Sequence, residues 1–150
     1  MVRQLNKTGI LATAMTVLLL SLGYKTLYAQ QVATHILDDV LIERTDYNAI
    51  IKVLFKQPFR YISHNPTSTG NTINIKLNII NPQLSQIDQP VNNESISLID
   101  NKGTGLNEVV YEKNGRNSEF VIFYFDKTNS FEVIQGSDPR SLTIVIFGLE

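Results

Sequence analysis

The chain has 150 residues, 43% of them hydrophobic, with 13 Lys and Arg against 14 Asp and Glu and no cysteine. That length holds one domain and falls short of two ordinary ones. The absence of cysteine excludes disulfides, which a core of about 110 residues does not need.

Arg3 and Lys7 precede an apolar run from Ile10 to Gly23, and a polar stretch follows that ends in Leu27-Tyr28-Ala29. This pattern is a secretory signal peptide covering residues 1–29. The run is shorter than the ~20 apolar residues of a bilayer span. An uncleaved membrane anchor is the alternative, because Leu27 is a mediocre cleavage-site residue. No cysteine follows the run, which excludes lipoprotein anchoring. Removing this segment takes away three basic residues and no acidic ones, leaving 10 against 14 and a formal charge of −4. An acidic domain without a basic cluster is poorly suited to phosphate backbones, so nucleic acid is not an expected partner.

The remainder, 30–150, reads as strands. After a frayed start over Gln30–His35, Val40 opens a strand, Thr45-Asp46-Tyr47-Asn48 turns, and Ala49–Phe55 returns as a hairpin. Ile51, Val53 and Phe55 share one face, while Lys52, Leu54 and Lys56 lie on the other. Pro58 cannot donate to a ladder and ends the strand. Extended structure resumes over Phe59–Ser63, residues 64–71 form a loop, and Ile73, Ile75 and Leu77 alternate with outward Asn74, Lys76 and Asn78. The crossover, 78–108, is rich in Asn, Gln, Ser, Asp and Pro, and a short strand is expected near Ser95–Ile99.

A second hairpin then turns at Asn114-Gly115 and returns through Phe120–Phe125. Asp126–Ser130 is expected to interrupt it, Phe131–Ile134 to extend again, residues 135–140 to turn, and Leu142–Phe147 to close the domain. The order repeats. Residues 40–77 match 109–146 at an offset of 69, with Ile51, Val53, Phe55 and Tyr61 falling on Val121, Phe123, Phe125 and Phe131 at an offset of 70. A self-similarity that keeps apolar positions and varies turns indicates one supersecondary unit used twice, each copy needing the other to bury its apolar face. The expected fold is all-β, a small sandwich of two sheets built from this duplication.

The phrases Phe59-Arg60-Tyr61-Ile62-Ser63-His64-Asn65-Pro66 and Phe131 through Leu142 resemble the AMIN-type β domains of bacterial envelope proteins, in the variant found ahead of tetratricopeptide repeats in proteobacterial proteins. The likeness covers about Val40 to Ile146. It implies a two-sheet sandwich, a periplasmic location and a non-catalytic role in placing a protein at peptidoglycan or at an envelope complex. Relatives carry a downstream effector and none follows here, so what is being positioned stays open. The alternative role is a protein-docking or structural subunit of a periplasmic complex with no cell-wall contact. Membrane contact is expected only if the signal segment stays attached.

No enzyme chemistry is expected. His35 and His64 are the two histidines, too few and too far apart for a zinc site without distant carboxylates. Asp38, Asp39, Glu43 and Asp46 lack the alternating oxygens and central Gly of a calcium loop. Ser63 beside His64 has no nucleophile elbow around it. No cofactor is called for. Arg60, His64, Gln135, Asp138 and Arg140 are the candidate ligand-binding residues, suited to sugar hydroxyls and peptide carboxylates. Their bland counterparts are core packing for Tyr61 and Phe131, and a self-contained turn for Asp138 and Arg140. Phe120, Ile122, Tyr124, Val145 and Phe147 form an apolar outer face on the second copy that needs a cover. The crossover, the segment near Ile36 and Leu37, or a partner protein would supply it.

Overall fold

The computed structural model describes residues 35–80, 93–115 and 118–149. The expected signal peptide and the middle of the crossover, 81–92, lie outside the described residues.

Among the described residues the chain forms strands β1 (Leu37–Arg44), β2 (Asn48–Phe55), β3 (Phe59–Asn65), β4 (Thr69–Ile79), β5 (Glu94–Ser97), β6 (Leu106–Lys113), β7 (Glu119–Gln135) and β8 (Ser141–Phe147). The all-β expectation holds. The strands make one continuous antiparallel sheet in the order β1-β2-β8-β7-β4-β3, with β6 also on β7 and β5 on β6. The strand expected near Ser95–Ile99 is β5, set one or two residues earlier.

The first hairpin closes where Thr45 and Asn48 meet, with the Thr45 amide and hydroxyl both donating to the Asn48 carbonyl at 2.8 and 3.1 Å. The second is wider than a two-residue Asn-Gly turn. Lys113 pairs with Glu119, and the Asn114 amide donates to the Ser118 carbonyl at 2.6 Å.

The expected break at Asp126–Ser130 is absent, and β7 runs unbroken through 17 residues. Its first half pairs with β4 and β6, its second half with β8. Between them the register against β4 jumps from Gly70↔Asn129 to Thr72↔Tyr124, so residues 125–128 leave that ladder. The polar residues there anchor a bend. The Asp126 amide donates to the Gly105 carbonyl at 2.8 Å, and the buried Asn129 Nδ2 donates to Thr104 O at 3.2 Å. Composition alone read this corner as a loop because its hydrogen-bond partners sit in a distant turn.

The pairings obey the sequence offset. β2 pairs with β8 through Ile51↔Ile144 and Val53↔Leu142, and β7 pairs with β4 through Val121↔Ile75 and Phe123↔Ile73. Each pair converts into the other on adding 70 or subtracting 69. Residues from β1, β2 and β8 and from β4, β6 and β7 enter one buried cluster, so the sheet curls over a single core. Ile51, Val53, Ile73, Ile75, Val121, Phe123, Leu142, Ile144 and Ile146 are all at 0% exposure, which places both halves of the repeat at its centre. Ile36 and Leu37 belong to this inner core and cover no outer face.

The free edges are stitched by side chains where ladder bonds stop. Glu94 on β5 accepts the Ile36 and Leu37 amides of the first edge at 2.8 and 3.0 Å, and Lys102 Nζ donates to Ile42 O at 2.8 Å. At the β3 edge the Phe59 amide donates to Pro139 O at 2.9 Å, and Gln135 bridges Tyr61 N and Phe59 O. Edge groups engaged in this way are not templates for another chain.

Candidate functional site

The five polar candidates converge on the β3 edge and the turn between β7 and β8. A bulge between Tyr61 and Ser63 shifts the alternation, so Tyr61 and His64 fall on one face. The Tyr61 hydroxyl and His64 Nδ1 are 2.5 Å apart, and His64 Nε2 is 2.9 Å from Thr67 O. A carbonyl only accepts, so Nε2 carries the proton and donates to Thr67 O, and Nδ1 accepts the hydrogen bond that the Tyr61 hydroxyl donates. The His64 ring also lies edge-on to Phe131, with centroids 6.0 Å apart. His64 is therefore a packing and bridging residue of the β3–β4 hairpin.

Gln135 accepts the Tyr61 amide at 3.3 Å and donates to the Phe59 carbonyl at 3.5 Å. One side-chain amide thus stands in for a residue of a neighbouring strand, through long and weak bonds. Asp138 Oδ1 accepts the Arg140 amide at 2.9 Å, which holds the turn. That is the self-contained arrangement expected for Asp138, but Arg140 joins through its backbone rather than through its guanidinium. Phe131 is buried, and Tyr61 packs partly buried against the core. Burial also raises the Tyr61 phenol above its ordinary value.

Arg60 and Arg140 differ from the other three. Both are exposed, and among the described residues no hydrogen bond or ion pair engages either guanidinium. The segments that carry them meet although 80 positions separate them in sequence: the Phe59 amide donates to Pro139 O and the Phe55 amide to Arg140 O, so Arg140 lies across from the end of β2 while Arg60 follows the contact into β3.

The structure divides the apolar outer face in two. Phe120, Ile122 and Tyr124 stand on the first half of β7 between Glu112, Val110 and Glu108 of β6 and Lys76, Asn74 and Thr72 of β4. Ile122 is only 8% exposed in that setting, because the flanking side chains of the central strand's neighbours shield it. Val145 and Phe147 pair instead with Ile50 and Asn48 on one side and Glu132 and Ser130 on the other. Tyr124 lies six residues before Ser130, up to about 20 Å along the strand. One patch of five was expected because a hairpin drawn flat places these strands side by side, and the bend in β7 separates them. The second patch gains Leu41, Ile50 and Ile134, which lie on the outer face at 45%, 42% and 41% exposure beside Phe147 at 41%. Ile50 and Leu41 were legible from alternation, since they stand opposite the inward Ile51 and Ile42.

Two buried or nearly buried carboxylates escaped the sequence reading. Glu119 Oε2 accepts the Ile79 amide at 2.7 Å, its Oε1 accepts the Tyr111 hydroxyl at 3.3 Å, and Lys113 Nζ stands 3.8 Å away. Burial first, then the Glu119 charge and its hydrogen bond, and last the Glu94 charge, push the Tyr111 phenol far up. Glu94 takes backbone donors at the first edge and Glu119 takes one at the end of β4, so both serve closure of the sheet. Among the described residues no group of His, Cys, Asp and Glu is arranged to hold a metal ion. Comparison with protein families, with curated proteins and with solved structures finds no match for this chain.

Proposed function

We propose that this protein is an exported, non-catalytic binding module of the bacterial envelope, acting in the periplasm and holding peptidoglycan at the β3 edge and the β7–β8 turn. The observation that carries this reading is that Arg60 and Arg140, on the two segments joined by the Phe59–Pro139 contact, are both exposed, and that among the described residues no hydrogen bond or ion pair engages either guanidinium. Around them His64, Gln135 and Asp138 are occupied with structural bonds, so they shape the surface and the arginines are left to grip. An arginine fork matches carboxylate oxygens bidentately. The resemblance of the two phrases that build this surface to AMIN-type domains supports the envelope assignment. Purified sacculi incubated with the protein test it: the parent chain is expected to sediment with them, and Arg60→Ala with Arg140→Ala to remain in solution. Equal sedimentation of both, or of neither, defeats the reading.

A second reading is favoured by the broken row of exposed apolar residues Leu41, Ile50, Ile134 and Phe147, interrupted on the same face by Lys52, Thr143 and Glu132, which suits docking of a protein partner without cell-wall contact. Ile50→Lys and Phe147→Glu distinguish it. A docking face loses co-sedimentation with an envelope complex while the melting temperature holds. A fall in melting temperature in both variants assigns the row to internal packing.

A further inference from the structure

The outer face of β1, β2, β8 and the second half of β7 sets both signs of charge around an apolar centre. Ile50 pairs with Val145 across β2 and β8, and Phe147 is the next residue on that face of β8. Glu43 continues this row beyond Ile50 on β1, and Glu132 continues it beyond Val145 on β7. Lys52 is the next residue on the same face of β2. Ile50 and Phe147 are 42% and 41% exposed, and the three charged residues are exposed as well. Among the described residues no hydrogen bond or ion pair engages Glu43, Lys52 or Glu132. Two strand spacings and one row set Lys52 about 12 Å from Glu132 within the chain, too far for a direct pair.

The charges decide what such a face accepts. A cationic partner meets Lys52, an acidic partner or an anionic lipid surface meets Glu43 and Glu132, and a wholly apolar partner strands all three charges. A second copy offers an apolar centre and both signs of charge, as a two-fold contact between identical patches requires. We propose that this face pairs two copies of the chain, with Lys52 of each against Glu132 of the other and Ile50 of each seated on Val145 and Phe147 of the other. Lys52 neighbours Ile50 along β2 and Glu132 pairs with Val145, so one placement makes both contacts. This rests on the docking reading of the face and names its partner. The area sets the strength. Four strands about 4.8 Å apart and the seven residues of β8 give a footprint of about 450 Å² a copy, and the sheet curls away from this face, so that figure is an upper bound. Interfaces of about 900 Å² in total are weak and reversible. A weak dimer still presents two β3 edges to one polymeric ligand, which strengthens capture without any new contact.

Sedimentation velocity of the exported protein from about 1 µM to about 1 mM tests this, a range that spans weak association. A reversible monomer–dimer equilibrium is expected, loosened by salt. Lys52→Glu and Glu132→Lys should each weaken it about tenfold or more, because the two-fold repeats each lost pair, and the two together should restore it. Carbodiimide crosslinking of a mixture of unlabelled and isotope-labelled protein reads the contact without any variant. Lys52 should join Glu132 in peptides that take one label from each copy. A monomer at every concentration, single reversals that leave the dimer unchanged, a double reversal that fails to restore it, or the absence of a mixed-label Lys52–Glu132 crosslink overturns the proposal. A monomer that still loses envelope co-sedimentation through Ile50→Lys and Phe147→Glu overturns this inference and leaves the docking reading standing. A dimer whose co-sedimentation those two variants leave unchanged does the reverse.

Discussion

Single residues decide how the edges and the core respond to pH. The Tyr111 phenol is held above its ordinary value of 10.0 by burial and by Glu119, and Tyr61 is raised by burial. Below about pH 10 both the folded and the unfolded chain keep these protons, and the contribution to stability is intact. Above it the unfolded chain releases protons that the folded chain retains, so stability falls as pH rises. Denaturant titrations at about pH 8 and about pH 10.5 should show a lower midpoint at the higher pH, and Tyr111→Phe should make that loss smaller. Glu119→Ala is the harsher change. It strands the part-buried Ile79 amide and the buried Tyr111 hydroxyl and should cost about 2 to 3 kcal/mol, read from the same titration at neutral pH. The candidate site is only half legible at this scale. Arg60 and Arg140 stand out in sequence as exposed cations beside turn residues, but nothing local says that His64 and Gln135 are consumed by Thr67, Tyr61 and Phe59.

At the scale of elements, β7 is the unexpected one. Its corner rests on a turn in which Gly105 has φ of 76° and its carbonyl accepts the Asp126 amide. A methyl group at Gly105 would run into the Asp126 carboxylate and would also meet the strain of a positive φ. Gly105→Ala should therefore destabilise the fold by about 1 to 3 kcal/mol. Asp126→Ala added to it should recover the steric part and leave the backbone part, which thermal unfolding of the two variants resolves. The strands themselves were readable because period-2 alternation reports directly which residues face a core. Ile73, Ile75 and Leu77 are at 0, 0 and 1% exposure, as their alternation with Asn74, Lys76 and Asn78 requires. The continuity of residues 126–130 was not readable, because polar residues that bond a distant backbone have the same composition as a loop.

Across the whole molecule the two copies exchange partners: the second strand of each pairs with the fourth strand of the other. An experimental structure superposed on itself should place Ile51, Val53, Ile73 and Ile75 within a few ångströms of Val121, Phe123, Leu142 and Ile144. Failure to superpose would reduce the shared offset to coincident strand periodicity. Export carries a separate expectation. Intact-mass measurement of the protein from a periplasmic extract should find residues 30–150, and retention of Met1–Ala29 in a membrane fraction would make the first segment an anchor.

The sequence by itself determined the all-β class, the inward-facing residues and the offset that relates the two halves, because side-chain alternation and turn chemistry are local properties of the chain. Tertiary structure decided three further things. It joined the two expected sheets through β7, since only packing against the Gly105 turn makes its polar corner extended. It split the apolar outer face between the two halves of that strand. And it set the β7–β8 turn against the Phe55–Phe59 connection while tying His64 and Gln135 into the β3 edge, because which polar groups remain available depends on partners that lie up to 76 residues away in the chain.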